Sequence, residues 1–321
     1  MYQESVNRFK EAGFDLRSCN TNNDSLKTLL INDGTFVDHG CIWDKVLGYK
    51  YNPTDDVMKL SKVVLNHKAN SKRKILSESS KVFDPLSFCS PVTVRSKVLI
   101  STLWDQPRTE RHWDEEINEA AKKTWETLSQ DLSELESLEF PRYSLTENEP
   151  FDFYIFCDAS TTAYGFVVYA VQNGISNFIF SKPKVAPLNR RTLPTLELLS
   201  VFIAFKGLKN LLKTFKTYKI QNIYIAVDAQ IVLNWLLSDN IKTKNLYAKN
   251  RINDINSMKK SLLETFKIPI HYKFVPTAEN PADLLTRGLT FEKFKSSFEF
   301  WYKGPDWLNS INVNWPISDL N

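Results

Sequence analysis

The stretch Asp152-Phe-Tyr-Ile-Phe-Cys-Asp-Ala-Ser-Thr-Thr-Ala-Tyr-Gly-Phe-Val-Val-Tyr-Ala-Val171 decides how this chain is read. Asp152 to Cys157 has the composition of a strand, and Tyr164 to Val171, rich in aromatic and β-branched residues, reads as a second. Between them lies Asp158-Ala-Ser, where the small residue after the acid lets a ligand approach the backbone closely. Outward from this pair, Asn177 to Lys182 reads as a third strand. Pro194 opens a long helix at the favoured first position, with Leu198, Phe202, Phe205, Leu208 and Leu212 on one side. Ile223 to Val227 is a fourth strand, Gln230 to Leu237 a helix, Leu246 to Leu263 a further helix and Ile268 to Phe274 a fifth strand. Asn280 to Arg287 is a short helix stopped by Gly288. Strands first, then strand and helix in alternation, predict a mixed α/β sheet of five strands flanked by helices.

Four acids punctuate these elements in the order Asp158, Glu197, Asp228, Asp283. Asp158 follows the first strand, Glu197 lies in the first turn of the long helix, Asp228 ends the fourth strand, and Asp283 sits on the last short helix. A lone Asp before a helix is usually a cap and a lone Glu on a helix is usually solvated. Four carboxylates at strand ends and helix starts of one sheet can instead converge on one point. Such a cluster is costly unless cations neutralise it, and hard divalent cations prefer oxygen ligands. Paired divalent metals are a standard apparatus for cutting phosphodiesters, so a metal-dependent nuclease is expected.

Bulk properties exclude several classes. A length of 321 residues suits two domains. Hydrophobic residues make up 42% and charged residues 24%, and no apolar run approaches the roughly 18 to 20 residues needed to span a bilayer. The N-terminus lacks the apolar core and cleavage site of a secretory signal, so an intracellular protein, cytoplasmic or nuclear, is expected. Cys19, Cys41, Cys89 and Cys157 lie far apart without a Cys-x-x-Cys, so neither a disulfide framework nor a zinc site is readable. A net charge of +4 permits a polyanionic partner without demanding one.

Upstream of Pro141 the pattern is mostly helical. Val6, Phe9 and Ala12 fall at helical spacing before Gly13, a polar Asn-rich stretch covers Asn20 to Asp24, and strand-like runs at Cys41 to Trp43 and Lys45 to Tyr51 are closed by Asn52-Pro53. From Ser71 the pattern turns helical, is interrupted at Asp84-Pro85 and Ser90-Pro91, and resumes through Val94 to Trp104 and Glu115 to Leu135.

Several of these stretches resemble one family. Cys157-Asp-Ala-Ser-Thr-Thr-Ala-Tyr-Gly-Phe, Leu193-Pro-Thr-Leu-Glu-Leu, Asp228-Ala-Gln-Ile-Val-Leu-Asn-Trp and Val275-Pro-Thr-Ala-Glu-Asn-Pro-Ala-Asp-Leu-Leu-Thr-Arg-Gly are similar to the RNase H domain of BEL/Pao-class LTR retrotransposon polyproteins. Ser80-Lys-Val-Phe-Asp-Pro-Leu-Ser-Phe-Cys-Ser-Pro-Val-Thr-Val-Arg-Ser-Lys resembles the segment joining their reverse transcriptase to RNase H, and Trp301-Tyr-Lys-Gly-Pro-Asp-Trp-Leu resembles their C-terminal stretch. Lys45-Val-Leu-Gly-Tyr-Lys-Tyr-Asn-Pro resembles a reverse-transcriptase primer grip. The resemblance implies an RNase H-like sheet preceded by a mostly helical thumb or connection region and a small palm remnant. Its segments are 1–70 palm and primer-grip remnant, 71–145 thumb or connection, 150–290 RNase H-like domain and 291–321 C-terminal extension.

The implied activity is hydrolysis of the RNA strand of an RNA–DNA hybrid, with Asp158, Glu197, Asp228 and Asp283 as catalytic metal ligands for two Mg²⁺ ions, Mn²⁺ being a substitute. Gln230 matches a position that contacts RNA near a 2′-hydroxyl. Lys72, Arg73, Lys74, Lys249 and Arg251 are candidates for backbone phosphate contacts, with Arg95, Lys97, Lys242 and Lys244 beside them. The partners implied are the hybrid and the remainder of the reverse transcriptase, and no membrane. Three departures from the family stand out. Val275-Pro-Thr-Ala-Glu-Asn contains no histidine, Ala229 replaces the usual Ser, and Thr195 or its neighbours replace the usual Arg. His271 falls on a strand. Asp55-Asp56 lack the polymerase motif and read as turn carboxylates, so no polymerase activity is expected, and the palm remnant should expose apolar surface. The alternative is a catalytically silent nucleic-acid-binding remnant. An integrase or transposase core would need a final Glu on a helix.

Overall fold

At Leu47 and Gly48 the backbone φ is +49° and +91°, the left-handed pair required by a two-residue hairpin turn. It folds Asp44–Val46 (β1) antiparallel onto Tyr49–Asn52 (β2). The run Lys45 to Tyr51, expected as one strand, is therefore cut in its middle: a glycine that reads as a gap in a strand is here the reversal. The computed structural model describes all residues except positions 1, 17–18, 20, 22, 36–42, 106–111, 143–144, 147, 190, 239–242, 244, 312 and 317–321. Most of the run from Cys41, and Lys242 and Lys244, lie outside the described residues.

A second reversal is built by Asn52, whose side chain accepts from the Thr54 amide at 2.9 Å and donates to Asp55 at 2.6 Å. It leads into Val57–Leu60 (β3), and β3 pairs with Glu139–Pro141 (β4), giving the order β1-β2-β3-β4. With Tyr2–Glu11 (α1) and Asp24–Asn32 (α2), this sheet forms one unit, residues 1–61 and 139–143. Asp56 joins Arg142 at 2.7 Å and the Tyr51 hydroxyl at 2.8 Å, so Asp55 and Asp56 do act as turn carboxylates. Phe9, Phe14, Leu29, Ile31, Val46 and Leu47 are exposed and α1 buries no residue, in line with the expected apolar surface.

The second unit, residues 62–138 and 144–321, begins with three helices: Lys72–Ser79 (α3), Ser90–Trp104 (α4) and Glu119–Glu134 (α5). Pro91, read from sequence as an interruption, lies in the first turn of α4, where its missing N–H costs nothing. Phe151–Ala159 (β5), Ala163–Gln172 (β6) and Ile175–Val185 (β7) form an antiparallel meander. Next come Leu193–Thr214 (α6), Ile220–Val227 (β8), Gln230–Leu237 (α7), Leu246–Phe266 (α8), Ile270–Phe274 (β9) and Ala282–Arg287 (α9). Phe291–Ser296 (α10) and Phe298–Lys303 (α11) follow. The sheet order is β7-β6-β5-β8-β9, with β8 parallel to both β5 and β9.

Alternation along the strands sorts the core into two layers. Phe153, Ile155, Phe166, Val168, Ile223 and Ile225 belong to the core shared with α6 and α8. Gly207 permits the close approach of α6, since a Cβ there would stand 2.5 Å from the Phe166 ring. On the other face Phe156 and Tyr169 meet an aromatic layer from the C-terminal residues. The Tyr169 hydroxyl donates to the Trp301 carbonyl at 2.6 Å, and Trp307 lies 6.0 Å from Phe156. Trp301, wholly buried, donates its indole N–H to the Phe88 carbonyl at 2.7 Å, so residues before α4 and after α10 close the same layer. Among the described residues no helix is long and apolar enough to cross a membrane.

Candidate metal centre

The register of the parallel strands creates the site. Cys157 pairs with Val227, so Asp158, which lies within β5 and not after it as its sequence suggested, stands beside Asp228, the residue just past the end of β8. Glu197 enters from the first turns of α6. Each of the three offers a carboxylate oxygen, and these oxygens lie within 4.8 Å of one another. Asp158 is 3% exposed and Glu197 6%. Glu197 Oε2 and Asp228 Oδ1 are buried without a hydrogen-bond partner.

The electrostatics follow from this crowding. Burial, opposed by the Thr286 hydrogen bond and reinforced by the charges of Asp228 and Asp283, raises Asp158 to about 7. Burial, with Asp158 and Asp228 adding to it, raises Glu197 to about 9. Asp228 is raised mainly by burial, although Thr277 donates to its Oδ2 at 2.9 Å. Three hard oxygens in this state fit a divalent cation, which would replace the protons that otherwise neutralise them.

Asp283, the fourth acid, has no place in that trio. Its Oδ1 accepts from Arg287 at 2.6 Å, although its charge is felt at Asp158, Glu197 and Asp228. Three groups overlooked in the sequence hold α9 against β5. Thr286, buried, donates its hydroxyl to Asp158 Oδ2. Ser160 donates to the Thr286 carbonyl at 2.8 Å, and the buried Asn280 amide donates to the Cys157 carbonyl at 3.1 Å. Only Asn280 carried a sequence signal, standing before a proline at a helix start.

The other candidates are dispersed. Gln230 is exposed at the start of α7, two residues past Asp228. Lys72 is buried, its ammonium bonded to the His112 carbonyl and placed over Trp104. Arg73 holds Asp114 through two hydrogen bonds of 2.6 and 3.0 Å, and Lys74 donates to Asn70. Lys249 is exposed, whereas Arg251 is paired with Asp254 at 3.0 Å and lies over Phe202. Arg95 turns inward to Asp131. His271 is exposed and stacks on Tyr224. Arg191, not singled out in the sequence, is exposed over the Tyr247 ring at 4.3 Å. It borders a cleft of about 430 Å³ lined also by Ser101, Thr102, Thr161 and Thr162.

The raised acids make stability fall with rising pH in metal-free protein. The folded state keeps protons on Asp158 and Glu197 that the unfolded chain loses near pH 4, so their stabilising contribution is full at low pH and declines until about pH 9. Thermal melts in chelator at pH 5.5 and 8.5 should show a smaller drop for Glu197→Gln than for the unaltered protein. An equal drop would contradict this account.

A five-stranded sheet in this order, with acids closing its central parallel strands, defines an RNase H-like fold. Residues 71–229 match the model of the family described as the Pao retrotransposon-like RNaseH-like domain. Among solved structures, RNase H1 from Halobacterium salinarum is 16% identical, covering 42% of this chain and 93% of its own at a TM-score of 0.31. The RNase H domain of rv2228c from Mycobacterium tuberculosis is 14% identical, with coverage of 46% and 97% and a TM-score of 0.32. The foamy viral protease-reverse transcriptase in complex with RNA/DNA hybrid is 15% identical, with coverage of 80% and 34% and a TM-score of 0.42. A comparison with curated proteins gave no match.

Proposed function

We propose that this chain is a metal-dependent RNase H that hydrolyses the RNA strand of RNA–DNA hybrids as part of a retrotransposon Pol protein. The observation that carries the reading is the trio of buried carboxylate oxygens within 4.8 Å, two of its acids having an oxygen without a partner. The family match over 71–229 supports it.

Asp158, Glu197 and Asp228, with Asp283 alongside, would hold two divalent cations, Mg²⁺ or in its place Mn²⁺. Such ions supply Lewis acidity at the phosphodiester and a nucleophilic water at neutral pH. The protein's own part is positional. Thr286 and Thr277 orient Asp158 and Asp228 through the oxygens they donate to, leaving Asp228 Oδ1 unengaged. Gln230, exposed beside Asp228, can offer its amide to a 2′-hydroxyl, the group that distinguishes RNA from DNA. Arg191, on the border of a cleft whose lining mixes the hydroxyls of Thr161 and Thr162 with apolar side chains and Asp105, is the cation there that can meet a phosphate of a bound strand. Arg191→Ala should weaken hybrid binding and lower the slope of log affinity against log salt by about 0.7 to 0.9, as the loss of one phosphate contact does. An unchanged slope in a filter-binding titration would place Arg191 outside the interface. The remainder of the reverse transcriptase is the partner suited to the exposed apolar residues of the first unit.

The test is cleavage of an end-labelled RNA–DNA hybrid with Mg²⁺ or Mn²⁺, beside single-stranded RNA and duplex DNA. Hybrid-specific cleavage of the RNA strand supports the reading. A second reading, a silent nucleic-acid binder, draws on the Asp283–Arg287 ion pair, which occupies one acid. It predicts hybrid binding without cleavage under either metal.

A further inference from the structure

α9 has six residues, about one and a half turns, and a helix so short does not hold itself in water. It nevertheless carries Asp283 and the Thr286 hydroxyl bonded to Asp158. Its position must therefore be set from outside. The N-terminal end is fixed by Asn280 on the Cys157 carbonyl.

The C-terminal end is fixed by the helical region that precedes the sheet. Gly288 closes α9 at a φ of +74°, and a Cβ there would stand 2.7 Å from Arg95 Cγ, so the arginine stem lies against the glycine. Arg95 Nη1 donates to the Leu289 carbonyl at 3.1 Å and to Asp131 Oδ2. The other Asp131 oxygen accepts the Phe291 amide at 3.0 Å, and the Leu289 amide donates to the Pro91 carbonyl at 2.7 Å. Both side chains are largely buried, at 23% and 14% exposure.

We infer that α4 and α5 brace the carboxylate centre, with Arg95 and Asp131 as positioning residues that fasten the end of α9 and so place Asp283 and Thr286. The Arg95 charge is spent inward, on Asp131 and a backbone carbonyl. The helical region thus contributes to the centre through α9 as well as through any grip on nucleic acid. The part of this inference that concerns metal rests on the proposed function; the part that concerns α9 does not.

The experiment compares the full chain with Arg95→Ala, Arg95→Lys and Asp131→Asn by amide hydrogen exchange and by calorimetric titration with Mn²⁺ alone. In Arg95→Ala and Asp131→Asn, exchange across residues 282–289 should rise about 10-fold or more while residues 153–157 stay as protected as before. Arg95→Lys keeps the charge and most of the stem, and should fall between. Mn²⁺ affinity should drop about 10-fold, the scale of losing a group that orients a metal ligand. Unchanged exchange at 282–289 would overturn the inference, and so would a uniform rise that included 153–157, the mark of an ordinary stabilising bond. Unchanged Mn²⁺ affinity with altered exchange would overturn the link to the centre. Failure of the unaltered protein to bind Mn²⁺ would overturn the metal reading, and the exchange data would still decide the brace.

Discussion

Asp228→Asn should abolish hybrid cleavage and, in chelator, raise the melting temperature. Both effects have one cause. Asp228 Oδ1 is buried without a partner, beside two other acids whose oxygens lie within 4.8 Å. Without metal, the clustered charge opposes folding, and a neutral amide relieves it while its carbonyl oxygen can keep the Thr277 hydrogen bond. With metal, the same neutrality would take a charged oxygen from the proposed ligand set. A loss of about 10³-fold in rate, equivalent to about 4 kcal/mol of transition-state stabilisation, is expected. Each kcal/mol of relief should add about 2 to 4 °C to the melting temperature of a domain this size. Steady-state cleavage and melts of both proteins, with and without Mg²⁺, check the pair. Retained cleavage would remove Asp228 from the proposed chemistry, and a lower melting temperature in chelator would contradict the strained-cluster account.

Trp301→Ala should cost about 3 to 5 kcal/mol, the range for deleting a buried aromatic side chain. The indole is fully buried, lies 5.6 Å from Phe178 and donates to the Phe88 carbonyl. Removing it leaves a cavity against the sheet and takes the indole donor from the Phe88 carbonyl on the segment that leads into α4. Urea unfolding followed by far-ultraviolet circular dichroism measures the loss. A change below about 1 kcal/mol would mean that the C-terminal layer is dispensable to the sheet.

The parts of the fold legible in the sequence were those carried by local periodicity. β5, β6, α6, β8, α7 and β9 fall where apolar alternation and helical spacing put them, and those elements position Asp158, Glu197 and Asp228. Elements defined by remote partners were not legible. β3 and β4 are three or four residues each and exist because they pair across most of a domain's length. The Lys45 to Tyr51 run carries strand-forming residues on both sides of its reversal, so composition hid the turn at Leu47-Gly48. α10 and α11 lie in the stretch read only as an extension; Trp301 of α11 packs on Tyr169 and Phe178, far upstream, and Phe294 of α10 meets Trp301. Side-chain destinations were the least legible. Arg73 and Arg95 look alike in sequence as solvated cations, and only contacts with remote residues show each holding an acid, whereas Arg251 pairs with Asp254 three residues along its own helix. Thr286 gave no sign, because its acceptor lies on a strand 128 residues away.

The small sheet takes its last strand from residues 139–141, after three helices that belong to the other unit. Serial order and spatial order are thus interleaved. A product ending at Ser61 would leave the flank of β3 as a row of unanswered amides and carbonyls, a template for pairing with other chains. For recombination between elements, the first unit is not a cassette that can be exchanged at a single junction. Moving it intact requires two crossovers, one on either side of the inserted helices.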